Sequence, residues 1–286
     1  VTELLSPATE TATETDLPAR RARLRDYVMC RPDHFEVSYR INPWMDPEKP
    51  TDRALALAQW ENLRALYTSL GHRVRTIEPA PGLPDMVFAA NGAVVVGGRV
   101  LVSRYRHPQR RAEADHWAEW FRAEGWTDVV RAAFTSEGEG DYVTTGRAVL
   151  AGSGFRSDPR SQTEAASLFD RPVVSLRLTD PRFYHLDTAL AALDDEEIVY
   201  YPDAFDAESL AVLRELFPDA VLADEEDALA FGLNLVSDGL NVIVPEPAAA
   251  LAAKLRARGF HTHAVDLSEL LKAGGSVKCC TLELRH

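Results

Sequence analysis

Turn-forming dipeptides return along this chain at a nearly fixed interval, each between two short β-rich runs and ahead of an amphipathic stretch. Gly97-Gly98, Thr145-Gly146, Asp194-Asp195 and Asp238-Gly239 lie about 48 residues apart, a period expected of radial or stacked repeats. The first interrupts DMVFAANGAVVVGGRVLVS at 85–103, which reads as a β-hairpin. Residues 109–124 then set Ala112, Trp117, Trp120 and Phe121 among charges and stop at Gly125, the pattern of an amphipathic helix with a glycine end signal. DVVRAAF at 128–134 supplies a further strand. The unit is strand, turn, strand, helix, strand.

The same order predicts helices over 161–169, 207–217 and 247–258, followed by strands over 172–178, 220–223 and 261–265. A fifth unit is divided between the chain's two ends. Thr51 or Asp52 can cap a helix carrying Leu55, Trp60, Leu63, Leu66, Tyr67 and Leu70, ended by Gly71 and followed by a strand at 72–77. Strand signals at 27–35 and 278–284 remain, one near each terminus. Pairing them completes the fifth unit and closes a ring, which removes exposed sheet edges. The expected fold is a five-bladed α/β propeller. An open doubly wound sheet is the alternative, and a hairpin before every helix speaks against it.

Residues 1–20, rich in Thr, Glu, Ala and Pro, read as a mobile tail, leaving 21–286 as one catalytic domain. The formal charge of −13 disfavours a nucleic-acid or membrane-surface partner and suits a cationic small molecule, although acidity ordinarily serves solubility. Three cysteines, two of them adjacent, are too few for a disulfide framework, so a reducing, cytoplasmic setting is expected. No apolar run reaches the length of a membrane span, and the first residues lack the pattern of a secretory signal.

In a closed ring the site should lie near the axis, lined by one equivalent position from each unit. Asp85, Glu137, His185, Asn234 and Cys279 are polar residues that interrupt apolar strand signals in phase with the turns. Alone, each is more readily a satisfied core residue than a catalyst. Together their chemistry is coherent. A cysteine thiolate is a strong nucleophile, a histidine moves protons, and a carboxylate orients the histidine. Asp187, two residues beyond His185, would share its face of a strand and could hold a cation there. Of the adjacent pair only one cysteine can enter the centre, and the other is expected to pack.

The segments LPDMVFAANG (83–92), EGEGD (137–141), FYHLDT (183–188) and GGSVKCCTLEL (274–284) resemble those of the guanidino-modifying superfamily, over nearly the whole chain. That superfamily comprises arginine deiminases, dimethylargininases, arginine dihydrolases and amidinotransferases, and its fold is a five-bladed α/β propeller. The resemblance implies Cys279 as nucleophile, His185 as general acid and base, and Glu137 as the carboxylate orienting it. Asp187 and Asp85 would hold the guanidinium, while Arg104 and Arg156 would grip the substrate's α-carboxylate. Many relatives carry an acid where Asn91 stands. The INPWM segment with Asn42, together with Asn91, looks more like the dihydrolases, in which two such asparagines line the pocket. The implied activity is hydrolysis of a guanidino C–N bond of arginine or an Nω-methylated arginine, through a covalent thiouronium and without metal or cofactor. An amidinotransferase using an amine acceptor, or a propeller that binds arginine without chemistry, are the alternatives. Dimethylargininase, dihydrolase and deiminase remain open, as does homo-oligomerisation. Residues 46–50 are one candidate for a lid, on proline content and polarity.

Overall fold

The computed structural model describes residues 20–286. It contains five three-stranded sheets, each built from one repeat. The first complete unit runs through β3 (Ala93–Val96), β4 (Arg99–Val102), helix α2 (Glu113–Ala123) and β5 (Val129–Arg131). It is preceded by β1 (Asp26–Cys30), α1 (Arg53–Ser69) and β2 (Arg73–Ile77). The second unit holds β6 (Tyr142–Thr144), β7 (Val149–Ser153), α3 (Arg160–Phe169) and β8 (Val173–Arg177). The third holds β9 (Leu190–Ala192), β10 (Ile198–Tyr200), α4 (Ala207–Leu216) and β11 (Val221–Leu222). The short α5 (Glu225–Leu229) leads into β12 (Val236–Ser237), β13 (Asn241–Pro245), α6 (Ala249–Ala257) and β14 (His261–Val265), and α7 (Ser268–Leu271) precedes β15 (Leu282–Glu283).

Within each unit the first two strands pair antiparallel and the second and third pair parallel, joined through the helix. A parallel pair requires such a crossover, and an antiparallel pair needs only a tight turn. Gly97 and Gly98 form the two-residue turn between β3 and β4 with φ of 56° and 77°, a conformation that only glycine adopts without strain. The first two strands of a unit are almost wholly buried, whereas the third is half exposed: β3 is buried throughout and β5 is not. The first strands therefore face the middle of the ring.

The fifth sheet closes it. β15 pairs antiparallel with β1 (Tyr27 against Glu283, Val28 against Leu282), and β1 pairs parallel with β2. The terminal strands are shorter than expected. After Cys30 the chain turns, with the Phe35 amide donating to the Pro32 carbonyl, and residues 276–281 form turns that end only at β15. Asp52 is the cap of α1; its carboxylate accepts from the Leu55 amide at 3.0 Å. α1 buries Ala56, Trp60, Leu63 and Tyr67, one stripe at helical spacing. Residues 1–19 of the expected tail lie outside the described residues. Its last member, Arg20, is anchored: Nε donates to the Arg258 carbonyl at 2.8 Å and the guanidinium stacks on Phe260. No described helix is long and apolar enough to cross a membrane.

Loss of the α1 cap tests how the split unit is held. Asp52→Ala is expected to cost about 1 kcal/mol, read as a lower midpoint in urea with unchanged slope.

Candidate active site

The five in-phase residues do not sit in strands. Each stands in the tight turn that enters the first strand of its unit. Asp85 lies in a 3₁₀ turn at Pro84–Val87, Glu137 heads another at Gly138–Gly140, and His185 heads a third at Leu186–Thr188. Asn234 and Cys279 occupy the corresponding turns before β12 and β15. Where five chains converge on an axis, each must reverse sharply, and a turn does this while presenting side chains inward. His185 and Asp187 are therefore not successive same-face residues of a strand. The turn separates them, closed by the Thr188 hydroxyl and amide donating to the His185 carbonyl at 2.7 and 3.2 Å.

One half of the site is an imidazole held by a carboxylate. His185 Nε2 lies 2.7 Å from Glu137 Oε2. The same oxygen accepts from Arg156 Nη1 at 2.8 Å, and Oε1 accepts from the Arg106 amide at 2.9 Å. Burial opposes ionisation of Glu137, but the Arg156 charge and the His185 contact outweigh it and hold the carboxyl well below its usual range. An ionised carboxylate only accepts, so Nε2 carries the proton and Nδ1 is the atom left for chemistry. Nδ1 is buried and has no partner among the described residues. Gly140 makes room for this ring: a Cβ there would stand 3.2 Å from Nδ1 and 2.3 Å from Asn91 Nδ2.

The other half is a thiol beside an acid. Cys279 Sγ lies 3.3 Å from Asp187 Oδ2 and receives a hydrogen bond from Asn234 Nδ2 at 3.1 Å. Asn234 Oδ1 in turn accepts from the Cys279 and Ser276 amides at 3.1 and 3.2 Å, so one side chain fixes both the turn and the sulfur. Burial first, and then the Asp187 charge, push the Cys279 thiol well above its ordinary range. Burial also pushes the Asp187 carboxyl up to about 7, against the Cys279 hydrogen bond. Burial and the Asp187 charge both favour the protonated thiol of Cys279. Cys280 is wholly buried in the core cluster that also holds Tyr67 and Val277.

A third group completes the wall. Asp85 Oδ2 accepts from the Tyr39 hydroxyl at 2.8 Å, while its Oδ1 is buried and unpartnered among the described residues. Burial raises the Asp85 carboxyl, and Arg110, with Nε 3.9 Å from Oδ2, works in the opposite direction. Arg110 also donates to Asn91 Oδ1 at 2.8 Å and makes paired bonds of 2.8 Å to Glu113.

Several expected residues are placed differently. Arg104 is exposed and its guanidinium has no hydrogen-bond partner among the described residues; only its backbone is engaged, bridging Ser136 at 2.8 and 3.0 Å. The inward arginine of SRYRHPQRRAE is Arg110 instead, because Glu113 three residues on neutralises it within the core. Arg156 is inside, but its guanidinium holds Glu137 and the Ile41 carbonyl and stacks over Tyr184. Asn91 spends both amide atoms on protein, donating to the Glu137 carbonyl at 3.2 Å. Asn42 does likewise, accepting from the Trp44 and Met45 amides and donating to the Ala273 carbonyl at 3.0 Å. Both asparagines brace the walls.

Residues 39–44 close the front. Tyr39 reaches Asp85, Ile41 caps Arg156, and Trp44 Nε1 donates to the Arg182 carbonyl at 2.9 Å. The covering segment therefore lies just before the lid candidate at 46–50, whose residues 47–50 are exposed. Aromatic and amide contacts hold it, whereas 47–50 lie on the surface.

Deiminases, dimethylargininases and arginine dihydrolases form one superfamily of such rings, and this chain is a member: a hydrolase acting on the C–N bonds of linear amidines. It belongs to the N,N-dimethylarginine dimethylhydrolase family, whose eukaryotic model matches residues 31–286. It is 53% identical over 268 residues to the N(G),N(G)-dimethylarginine dimethylaminohydrolase of Mycobacterium tuberculosis, covering 93% of this chain and 88% of that protein. It is also 39% identical over 263 residues to the bifunctional arginine dihydrolase/ornithine cyclodeaminase ArgZ of Synechocystis, covering 90% of this chain but 37% of the larger protein. The crystal structure of the substrate-bound N-terminal domain of ArgZ superposes with a TM-score of 0.87 at 38% identity, covering 92% of this chain and 98% of that domain.

The raised Asp187 carboxyl has a consequence for stability. Its folded-state value of about 7 lies above the unfolded one, so its contribution is fully present below the unfolded value and is lost as pH rises through about 7. Asp187→Asn should therefore stabilise the fold by on the order of 1–3 kcal/mol near pH 8 and by almost nothing near pH 3. Urea melts at the two pH values check this; equal effects at both would contradict it.

Proposed function

We propose that this enzyme hydrolyses the guanidino C–N bond of Nω-methylated arginine, with Cys279 as nucleophile, releasing citrulline and a methylamine. The observation that carries the reading is the buried Cys279–Asp187 contact, in the same ring as the His185–Glu137 pair. A guanidinium carbon is planar, resonance-stabilised and cationic. It becomes attackable when carboxylates fix the cation and a thiolate meets the carbon. Asp187 and Asp85, each in a turn at the axis, have buried oxygens lacking a partner among the described residues, and they suit the first task. The incoming positive charge favours ionised over neutral sulfur, which reverses the effect of burial on Cys279.

Sulfur attack gives a tetrahedral adduct. His185, entering this step protonated on both ring nitrogens, gives the Nδ1 proton to the departing amine, leaving an S-alkylthiouronium, and Nδ1 then takes a proton from the water that releases the ureido product. Glu137 keeps hold of the Nε2 proton throughout, as a third group orients the base in catalytic triads. Arg156 and Arg110 are the buried guanidinium groups near the site. Both are largely committed to protein carboxylates, so an α-carboxylate would have to compete for them or meet them through Tyr39 and the front segment.

The dimethylargininase reading rests on the 53% identical relative bearing that name. Arginine dihydrolysis, giving ornithine, ammonia and carbon dioxide, is the second reading, supported by the identity to ArgZ and by the INPWM and AANG asparagines.

Asymmetric dimethylarginine, monomethylarginine and arginine, supplied singly and followed by mass spectrometry, distinguish these outcomes. Citrulline with dimethylamine is expected; ornithine from arginine would shift the assignment to dihydrolase. Guanidinoacetate formed from arginine and glycine, or no product at all, would contradict hydrolysis. Glu137→Gln should lower kcat about a hundredfold with little change in KM, because the imidazole loses its orienting charge.

A further inference from the structure

The inner strands run from the catalytic turns at one end of the ring to the hairpins at the other. At the hairpin end lies a cavity of about 280 Å³ that reaches inward to Asp187. Its wall includes Glu139, Lys278 and Arg285, joined by ion pairs, and it meets the surface beside Asp195, whose side chain is 46% exposed. Four side-chain atoms in residues lining this cavity are buried without a partner among the described residues: Asp187 Oδ1, Tyr27 Oη, Thr144 Oγ1 and Arg25 Nε. Buried polar groups cluster in this way where water satisfies them, and the volume has room for about nine waters at ~30 Å³ each.

We propose that this rear cavity is a hydrated proton port for the active site, through which Asp187 loses a proton to bulk solvent when a cationic substrate enters from the front. The inference rests on the hydrolase reading for its substrate but not for its test.

The need for such a port follows from charge and enclosure. Asp187 Oδ2 is occupied by the Cys279 thiol, leaving Oδ1 as the oxygen available to cavity water. Asp187 is 1% exposed and lines this rear cavity, whereas the cavity beside Arg156 does not reach it. Asp187, whose carboxyl stands near 7, starts in part as a neutral acid. The titratable and charged groups facing it are Cys279, Cys280, Lys278, Glu139 and Tyr184.

The arriving guanidinium disfavours the proton on Asp187, which passes from Oδ1 to the first water, and one proton emerges at the hairpin end. A carboxylate now faces a cation. As sulfur attacks, the S–H bond breaks and its proton goes to Oδ2 while the S–C bond forms and the C–N π pair moves onto nitrogen. Charge balances at each stage: cation plus carboxylate before attack, neutral adduct plus neutral acid after it. Asp187 is thus first a counter-ion and then the acceptor of the thiol proton.

The test uses the full chain as Cys279→Ser, which binds arginine without consuming it, in weak buffer with a pH indicator and stopped-flow mixing. About one proton released per arginine bound is expected near pH 6, where Asp187 is mostly neutral. Adding Thr144→Leu, which places apolar bulk in the cavity wall, should slow release about tenfold while arginine affinity stays the same. Thr144→Val, close to threonine in size, should restore the rate. Should Thr144→Leu lose its near-ultraviolet circular dichroism, Ser237→Leu on the neighbouring wall takes its place. Absent proton release, or release as fast in the occluded variant, overturns the port. With Cys279 restored, the hydrolase reading fails separately if no ureido product forms; the port fails if product forms while release ignores the cavity wall.

Discussion

A thiol 3.3 Å from a carboxylate, both buried, is the contact on which the rest of this molecule depends. Neither group is comfortable as an anion there. Burial pushes both upward, and each anion raises the cost of the other. Burial therefore favours the protonated thiol of Cys279. In the proposed mechanism a positive, planar substrate reverses the balance, because its charge rewards ionising both. On that proposal, selectivity for a cation is built into activation itself: a neutral molecule of similar shape would find no thiolate.

The ring makes this arrangement mechanically stable. The site groups arrive from separate repeats, except that His185 and Asp187 share one turn, so none can be displaced without moving a sheet. Asn234 ties the Cys279 turn to the neighbouring unit, Asn91 ties the first unit to the Glu137 turn, and Arg156 joins Glu137 to the front segment. Two opposed electrostatic environments result. Glu137 is surrounded by donors and cations and stays ionised, while Asp187 has few and stays near neutrality. One acid holds a base steady and the other is free to change charge. Such divergence between nearby carboxyls is how a site assigns fixed and mobile protons.

Much of this was legible in residue order. Gly97-Gly98 and its counterparts marked the hairpins because their backbone demands leave few other choices, and their phase located Asp85, Glu137, His185, Asn234 and Cys279. The closing sheet from both termini followed from two unpaired strand signals. The error over Asp187 came from reading a strand where the chain turns: apolar flanks look alike in both, and only the crowding at the axis selects the turn. Arg104 came from the resemblance alone, which did not bring Arg110 into consideration. The Arg110–Glu113 spacing of three did carry a mark of direction, since it lets both charges be buried together. The front segment and the rear cavity depend on contacts between residues over a hundred positions apart, such as Arg156 with Ile41, which no local pattern encodes.

The central claim is that the sulfur of Cys279 bonds to the guanidino carbon during turnover. Substrate labelled with ¹³C at that carbon, mixed with enzyme and quenched in acid within one turnover, tests it by peptide mass mapping. A labelled amidino adduct on the peptide carrying Cys279, rising and then decaying as citrulline appears, is the predicted result. Full turnover with Cys279 unmodified at every time point, or the label on another side chain, would contradict it.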